Sequence, residues 1–404
     1  MLIIMKFGGS SLATNEKIEH AARLIAHQRQ AGNQIVVVVS AQGDTTDRLA
    51  EKAACMAGEP SLRECDVLLS SGEQVSMSLM AMKLSDMGCE AVSLCGWQAG
   101  IYTDNHHGNA NITYIDTNRI LDELSCGKTV IVAGFQGLGE DNDITTLGRG
   151  GSDTTAIALG AALKADACFI YTDVPGVYSA DPRVVKDAVM HSEISYDEML
   201  EMSSLGARVL HNRSVLMAKR SKLKIEVLSS DGKEPGTLVH ELAPEKYVSG
   251  IVCDRDVAMI SVIGVDSGET TCRLFKLLVE NGVQVDIIIR SPSSFQGRGV
   301  ISFSVIGTMV PKVQSLLRSN KLELKYEQMV VEENLAKISA VGSGLADSCI
   351  VASQMLLALS QLGLEPNYIT TGEIRISVLI PEAFAAEAEK AIHSALISKA
   401  EAGL

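Results

Sequence analysis

Lys6-Phe7-Gly8-Gly9-Ser10-Ser11 stands where an apolar run, Leu2 to Phe7, meets the first helical pattern. Glycines let a backbone approach an anion closely, and a following helix offers unpaired N–H groups. A lysine at the strand end adds a point charge suited to phosphate. Alone, a plain strand-to-helix turn explains this run equally well. A second constellation runs from Thr145 to Ala156 and holds Gly148-Arg149-Gly150-Gly151-Ser152-Asp153. An arginine among glycines can present its planar fork to a carboxylate. Ser152, Asp153 and Thr154 are all residues that cap helices, but capping leaves Arg149 unexplained. A third segment, Tyr171 to Arg183, follows an apolar strand and contains two turns. In α/β sheets ligands bind beyond the carboxyl ends of strands, so its polar and aromatic residues suit a nucleotide pocket, with a long surface loop as the plainer alternative.

Two other motifs mimic sites. Gly127-Lys128-Thr129 looks like the end of a P-loop, but the required first glycine is Asp122, and here helix precedes strand. No G-x-G-x-x-G run sits at a strand–helix junction, which speaks against a dinucleotide-binding dehydrogenase. His106-His107 are adjacent and have no evident third ligand, so they read as a surface pair.

The elements around these residues alternate. Strands are expected at 2–7, 35–39, 91–94, 130–133 and 167–171, with 35–39 consisting entirely of β-branched residues. Helices are expected at about 15–31, 63–87, 118–124 and 154–163. Such alternation predicts an α/β fold, a mostly parallel sheet covered by helices on both faces. Turn signals cluster near residue 230. Beyond them, Ala258 to Gly264 resembles Ala336 to Gly342, and each copy continues into an apolar helix ending at Gly282 or Gly363. Alternating strands follow, Ile301 to Val305 and Ile374 to Val378, so the repeat predicts two small ferredoxin-like units.

Composition narrows the class. With 404 residues, 46% hydrophobic and 21% charged, the chain is an ordinary globular protein with material for two or three domains. No apolar run approaches the ~20 residues of a membrane helix, and Met1 to Met5 reads as a buried strand rather than a signal peptide. Lys and Arg total 35 against 49 Asp and Glu, a net charge of −14 with no basic run. That balance excludes nucleic acid and anionic membrane as partners. Nine scattered cysteines lack C-x-x-C or zinc spacing and fit reduced thiols in the cytoplasm.

Taken in order, KFGGSS (6–11), SAQGDTTD (40–47), SSGE (70–73), VAGFQG (132–137), TTLGRGGSDTTA (145–156) and YTDVPGVYSADPR (171–183) resemble the aspartate kinase family, monofunctional bacterial type. The resemblance covers essentially the whole chain. It implies an amino-acid-kinase catalytic domain over 1–230, a linker over 231–255, and tandem ACT domains over 256–330 and 331–404. It also implies phosphorylation of L-aspartate by ATP on the β-carboxylate, giving 4-phospho-L-aspartate. A carboxylate of pKa ~3.9 is already ionised at neutral pH, so such a reaction needs positioning and charge stabilisation rather than a general base.

By resemblance, Lys6 sits on the phosphates and Asp153 orients it. Arg149, with Gly150, Gly151 and Ser152, holds the aspartate α-carboxylate, Glu73 takes the amino group, and Thr46 adds a hydrogen bond. Phe7, Gly8, Gly9 and Ser40 lie along the phosphates. Thr172, Asp173, Tyr178, Ser179, Ala180, Asp181, Pro182, Arg183 and Arg208 enclose the nucleotide. Magnesium bridges the ATP phosphates with few protein ligands, and the ACT domains make a homo-oligomer that binds an amino-acid effector. Intact Lys6, Arg149 and Asp153 speak against the alternative, an amino-acid sensor with an inactive kinase domain.

The sequence departs from the family pattern in places. Arg208 stands where many relatives have lysine, and Gln74 where arginine is common. The first ACT turn, Asp266-Ser267-Gly268-Glu269, is shortened and lacks proline; the second region reads Ser348-Cys349-Ile350. Regulatory contacts are expected from Asp266, Val283, Gln284, Val285, Arg290, Thr370 and Thr371. A cation at position 290 repels a lysine side chain, which points to relaxed feedback control.

Overall fold

Five consecutive β-branched residues favour an extended strand that packs on both faces, and Ile35 to Val39 are all fully buried. They lie near the middle of an eight-stranded sheet in a computed structural model that describes residues 1–207, 209–232, 234–241, 247–265, 268–295, 298–345 and 349–397. Contacts divide the chain into two units, one comprising Met1–Tyr178 and Val189–Ala243, the other Ser179–Ala188 and Pro244–Leu404.

The first unit runs β1 (Leu2–Phe7), α1 (Asn15–Gln30), β2 (Gln34–Val39), α2 (Thr45–Met56), α3 (Leu62–Asp86), β3 (Ala91–Leu94), β4 (Ile101–Thr103), β5 (Ile112–Ile115), α4 (Asn118–Ser125) and β6 (Thr129–Ala133). It continues β7 (Gln136–Leu138), β8 (Ile144–Thr146), α5 (Gly151–Ala162), β9 (Ala167–Thr172), β10 (Glu193–Ser195), α6 (Tyr196–Ser204), α7 (Asn212–Ser221), β11 (Ile225–Ser229) and β12 (Thr237–His240). The main sheet has the order β10-β12-β11-β9-β1-β2-β6-β3, parallel except between β11 and β12. β1 is central, paired with β2 and β9, so its carboxyl end opens among those of its neighbours. β4, β5, β7 and β8 form a small separate sheet, which periodicity did not predict because its strands are only three or four residues long.

The first helix begins at Asn15 as expected, whereas the start of α5 differs in an informative way. A four-residue 3-10 turn, Gly9–Leu12, separates β1 from α1, so the helix does not begin at the glycines. α5 starts at Gly151, three residues early, with Gly150 at its N-cap and no capping side chain. Ser152, Asp153 and Thr154 therefore lie within its first turn rather than capping it.

The second unit contains β13 (Gly250–Ile263), α8 (Gly268–Glu280), β14 (Ile288–Phe295), β15 (Arg298–Ile306), α9 (Val310–Ser319), α10 (Lys321–Leu324), β16 (Gln328–Val341), α11 (Cys349–Gln361), β17 (Tyr368–Thr371), β18 (Arg375–Pro381) and α12 (Ala385–Leu396). Its sheet has the order β14-β15-β13-β16-β18-β17. The repeat read from sequence is thus two β-α-β-type units whose long strands, β13 and β16, pair with each other. Ala258, Ile260 and Val262 of β13 belong to one core with α8 and α9, while Ile251 belongs to the other with α11 and α12. A register shift between Asp254 and Val257 separates these halves. The alternating serines are buried too. Ser302 bonds Ser261 at 2.7 Å, and Ser304 accepts from the Ile287 amide at 2.9 Å.

Candidate active site

The second-to-last residue of β1 is a lysine that the fold nearly encloses. Lys6 is 8% exposed, and its Nζ lies 2.5 Å from Oδ1 of Asp153 in the first turn of α5. Two adjacent parallel layers, strand and helix, thus deliver opposite charges to one point at the carboxyl edge of the sheet. A mostly buried ion pair of this kind holds the ammonium in one orientation, and a Cβ on Gly8 would lie 3.6 Å from its Nζ.

The turn wraps closely around it. The Gly8 amide donates to Tyr171 O at 3.1 Å, the Ser40 amide to Phe7 O at 3.1 Å, and Gly43 to Gly9 O at 2.9 Å. A Cβ on Gly9 would sit 2.8 Å from Ala41 O, so backbone approach demands glycine there. Ser11 Oγ is buried beside Gly8 without a hydrogen-bond partner among the described residues. Phe7 itself is fully buried and its ring stacks on Tyr171, so its side chain packs in the core and only its backbone borders the turn.

Glu73 reaches the same neighbourhood from α3. Gly72 lets that helix close on the 40–45 loop, since a Cβ would meet Ala41 Cβ at 2.8 Å. Glu73 Oε1 accepts from the Ala41 amide at 3.0 Å, whereas Oε2 is buried and has no partner among the described residues. Burial pushes the carboxyl up to about 7. An unmet buried carboxylate oxygen is costly, and a ligand ammonium would offset that cost. Thr46 lies half-buried in the first turn of α2.

Arg149 is exposed between Gly148 (φ 73°) and Gly150 (φ 69°). A Cβ at Gly150 would fall 2.5 Å from His211 Cβ, so only glycine fits that left-handed position. Gly134 packs on Ser152, and Gly151 packs on Phe135. Phe135 is a bulky residue at φ 71°, held by a bond from its amide to Thr155 Oγ1 at 3.0 Å. Strain of this sort persists only where surroundings over-determine it. Nothing in residue type marks Phe135 or His211; the fold alone brings them to this loop.

Thr172 ends β9 and donates to Asp173 at 3.1 Å, and Tyr178 is half-buried nearby in the chain. From Ser179 the chain belongs to the second unit. Ser179 lies 2.9 Å from His393 Nε2, and Ala180 is part of that unit's core, so both side chains are committed there. Asp181 pairs with Arg183 at 2.8 Å, and Pro182 is exposed between them. Val283 is buried in the core of α8 and α9 and cannot present its side chain to an effector. Val285 is packed against that core, Gln284, Arg290 and Thr371 are exposed, and Thr370 Oγ1 is buried without a partner among the described residues. Arg208 and Asp266 lie outside the described residues.

Residues 1–229 match the amino acid kinase family and residues 338–396 match an ACT domain. Aspartokinase 2 of Bacillus subtilis is 46% identical over 398 residues, 98% of this chain and 97% of its own. The chain belongs to the aspartokinases of the amino acid kinase family. E. coli aspartokinase III, in complex with aspartate and ADP in an R-state, superposes with a TM-score of 0.81 at 26% identity, covering 98% of this chain and 100% of that one. The T-state of the same enzyme, with lysine and aspartate, gives 0.75 at 26% identity over 98% of this chain and 99% of that one. An aspartokinase must bring two anions together; this chain places the enclosed Lys6 near the end of β1 and the exposed Arg149 between two glycines just before α5.

Proposed function

We infer that this protein transfers the γ-phosphoryl group of ATP to the β-carboxylate of L-aspartate, giving 4-phospho-L-aspartate and ADP. The observation that carries this reading is the Lys6–Asp153 pair at the carboxyl end of β1, together with the half-unpartnered carboxylate of Glu73 held on the 40–43 loop that bonds the turn after β1. An aspartate carboxylate oxygen attacks the γ-phosphorus, and the bond to the β,γ-bridging oxygen breaks with its electron pair passing to ADP. Lys6 stabilises charge on the transferred group, and Asp153 holds Lys6 in place. Arg149 grips the α-carboxylate, Glu73 receives the ammonium, and Thr46 adds a hydrogen bond. Gly8, Gly9 and Ser40 border the phosphates, while Thr172, Asp173, Tyr178 and the 179–183 segment serve the nucleotide. Magnesium bound to ATP would supply charge neutralisation on the phosphates. A hydroxamate assay coupled to ATP consumption tests the activity; no aspartyl hydroxamate from the purified protein would overturn it.

Glu73 sets a pH dependence. Its carboxyl is raised to about 7 by burial, and only the carboxylate attracts the substrate ammonium. We expect kcat/KM for aspartate to rise with pH and level off above about 7, and Glu73→Gln to lack that limb. For stability the sign is opposite. The folded state binds the proton more tightly than the unfolded chain, so this group's contribution is lost as pH rises from about 4.5 through 7. Profiles of kcat/KM and Tm for both proteins check the pair of slopes.

The second unit is the regulatory half, with ACT domains over 256–330 and 331–404, and oligomer formation is assigned to it. Ile288, Ile306 and Ile369 are exposed on its strands, apolar surface suited to a second copy. We place the protein in the cytoplasm, where ATP is available and where the cysteines, all free, stay reduced. No described helix is long and apolar enough to cross a membrane. The E. coli relative binds lysine in its T-state. In this chain Arg290 repels a lysine side chain nearby, because like charges in a partly desolvated site disfavour binding. Lysine alone at millimolar concentration is therefore expected to inhibit weakly. Initial rates with lysine, threonine and both decide it; strong inhibition by submillimolar lysine would show that Arg290 faces away from the effector.

A further inference from the structure

Asp66 is fully buried on α3, where an unmet carboxylate would be strongly destabilising. Its oxygens are met from two other segments. His107 Nδ1 lies 2.8 Å from Oδ2, the Gly108 amide donates to both oxygens at 3.1 Å, and Thr146 Oγ1 donates to Oδ1 at 2.5 Å. Thr146 is the last residue of β8, and the chain passes from it through Leu147 and Gly148 to Arg149. The 104–111 turn is tied to the same stretch again. The Ala110 amide donates to Thr146 O at 2.9 Å, and Arg213 donates to Leu147 O at 3.1 Å and to Asn109 Oδ1 at 2.9 Å. Flanking glycines leave Arg149 with little conformational preference of its own, so its location depends on how residues 146–148 are held.

Glu73 lies seven residues after Asp66 on the same helix. At ~3.6 residues per turn that spacing returns to nearly the same face, two turns along. One helix face therefore carries the group assigned to the substrate ammonium and the anchor of the loop assigned to its α-carboxylate. We propose that Asp66 is a positioning residue that fixes the Arg149 loop relative to Glu73 and thereby sets the affinity for aspartate. This role rests on Arg149 and Glu73 being the pair that grips the substrate.

Steady-state kinetics on Thr146→Val, Thr146→Ser, Asp66→Asn and Arg149→Ala test it. Thr146→Val removes the hydroxyl at nearly constant volume, and Asp66→Asn leaves one acceptor in place of two. Each is expected to raise KM for aspartate about tenfold, the loss of a charge-assisted bond, with KM for ATP within about twofold. Thr146→Ser, which keeps the hydroxyl, returns KM for aspartate toward the parent value. Where Asp66→Asn fails to fold, the Thr146 pair decides. An unchanged KM for aspartate in Thr146→Val, a parallel rise in both KM values, or a loss of Tm alone overturns the positioning role. An unchanged KM for aspartate in Arg149→Ala shows instead that the underlying substrate assignment is wrong.

Discussion

Lys6→Ala is expected to lower kcat by about 10²–10³-fold, the usual consequence of removing one preorganised charge from a developing transition state. The structure adds a second effect. Lys6 and Asp153 are mostly enclosed, so removing the lysine strands a carboxylate beside Cys168 and the sheet edge. Loss of one partner from a buried pair destabilises more than loss of both. Lys6→Ala should therefore also melt at a lower temperature, and Lys6→Met with Asp153→Asn should recover that melting temperature while remaining inactive. Measuring kcat and Tm on all three proteins separates the two effects. Near-normal turnover in a folded Lys6→Ala protein would remove Lys6 from the chemistry.

Arg149→Ala is expected to act on aspartate instead. Its guanidinium is exposed, and among the described residues no hydrogen bond or ion pair engages it, which leaves all its donors for a ligand. A bidentate contact with a carboxylate is charge-assisted, and its loss raises KM for aspartate about 10- to 100-fold. KM for ATP should change by about twofold at most. Arg149→Lys should recover only part of the loss, because an ammonium keeps the charge without the planar fork. Separate titrations of aspartate and ATP give the answer; a change confined to ATP would reassign Arg149 to the nucleotide.

Local patterns carried a large share of this protein. β-branched runs mark buried parallel strands at Ile35 to Val39 and Val130 to Ala133 because such side chains pack on both faces of a pleated sheet. The glycines around Arg149 are legible because positive φ at Gly148 and Gly150 favours glycine whatever the distant surroundings, whereas the crowding that demands glycine at Gly9 comes from the 41–43 loop. The repeat beyond residue 250 is legible for a related reason, since each copy must build its own helix-on-strand core.

Tertiary structure alone decided the rest, since those features depend on segments far apart in sequence. Nothing in the types of Asp66, His107 and Thr146 predicts that they meet; a buried carboxylate takes its donors from whichever backbone the sheet brings close. The raised pKa of Glu73 comes from dehydration by neighbours, and composition cannot report dehydration. The serines of β15 alternate with apolar residues as though facing water, yet they are buried and satisfied by hydroxyl and amide partners. Ser179 and Ala180 sit in a nucleotide-like motif while packing in the second unit's core. Residue type and spacing determined which local conformations and charges were available to this chain. Burial, which is a property of the assembled layers, determined which of those charges were enclosed, paired or left unpartnered at the sheet edge.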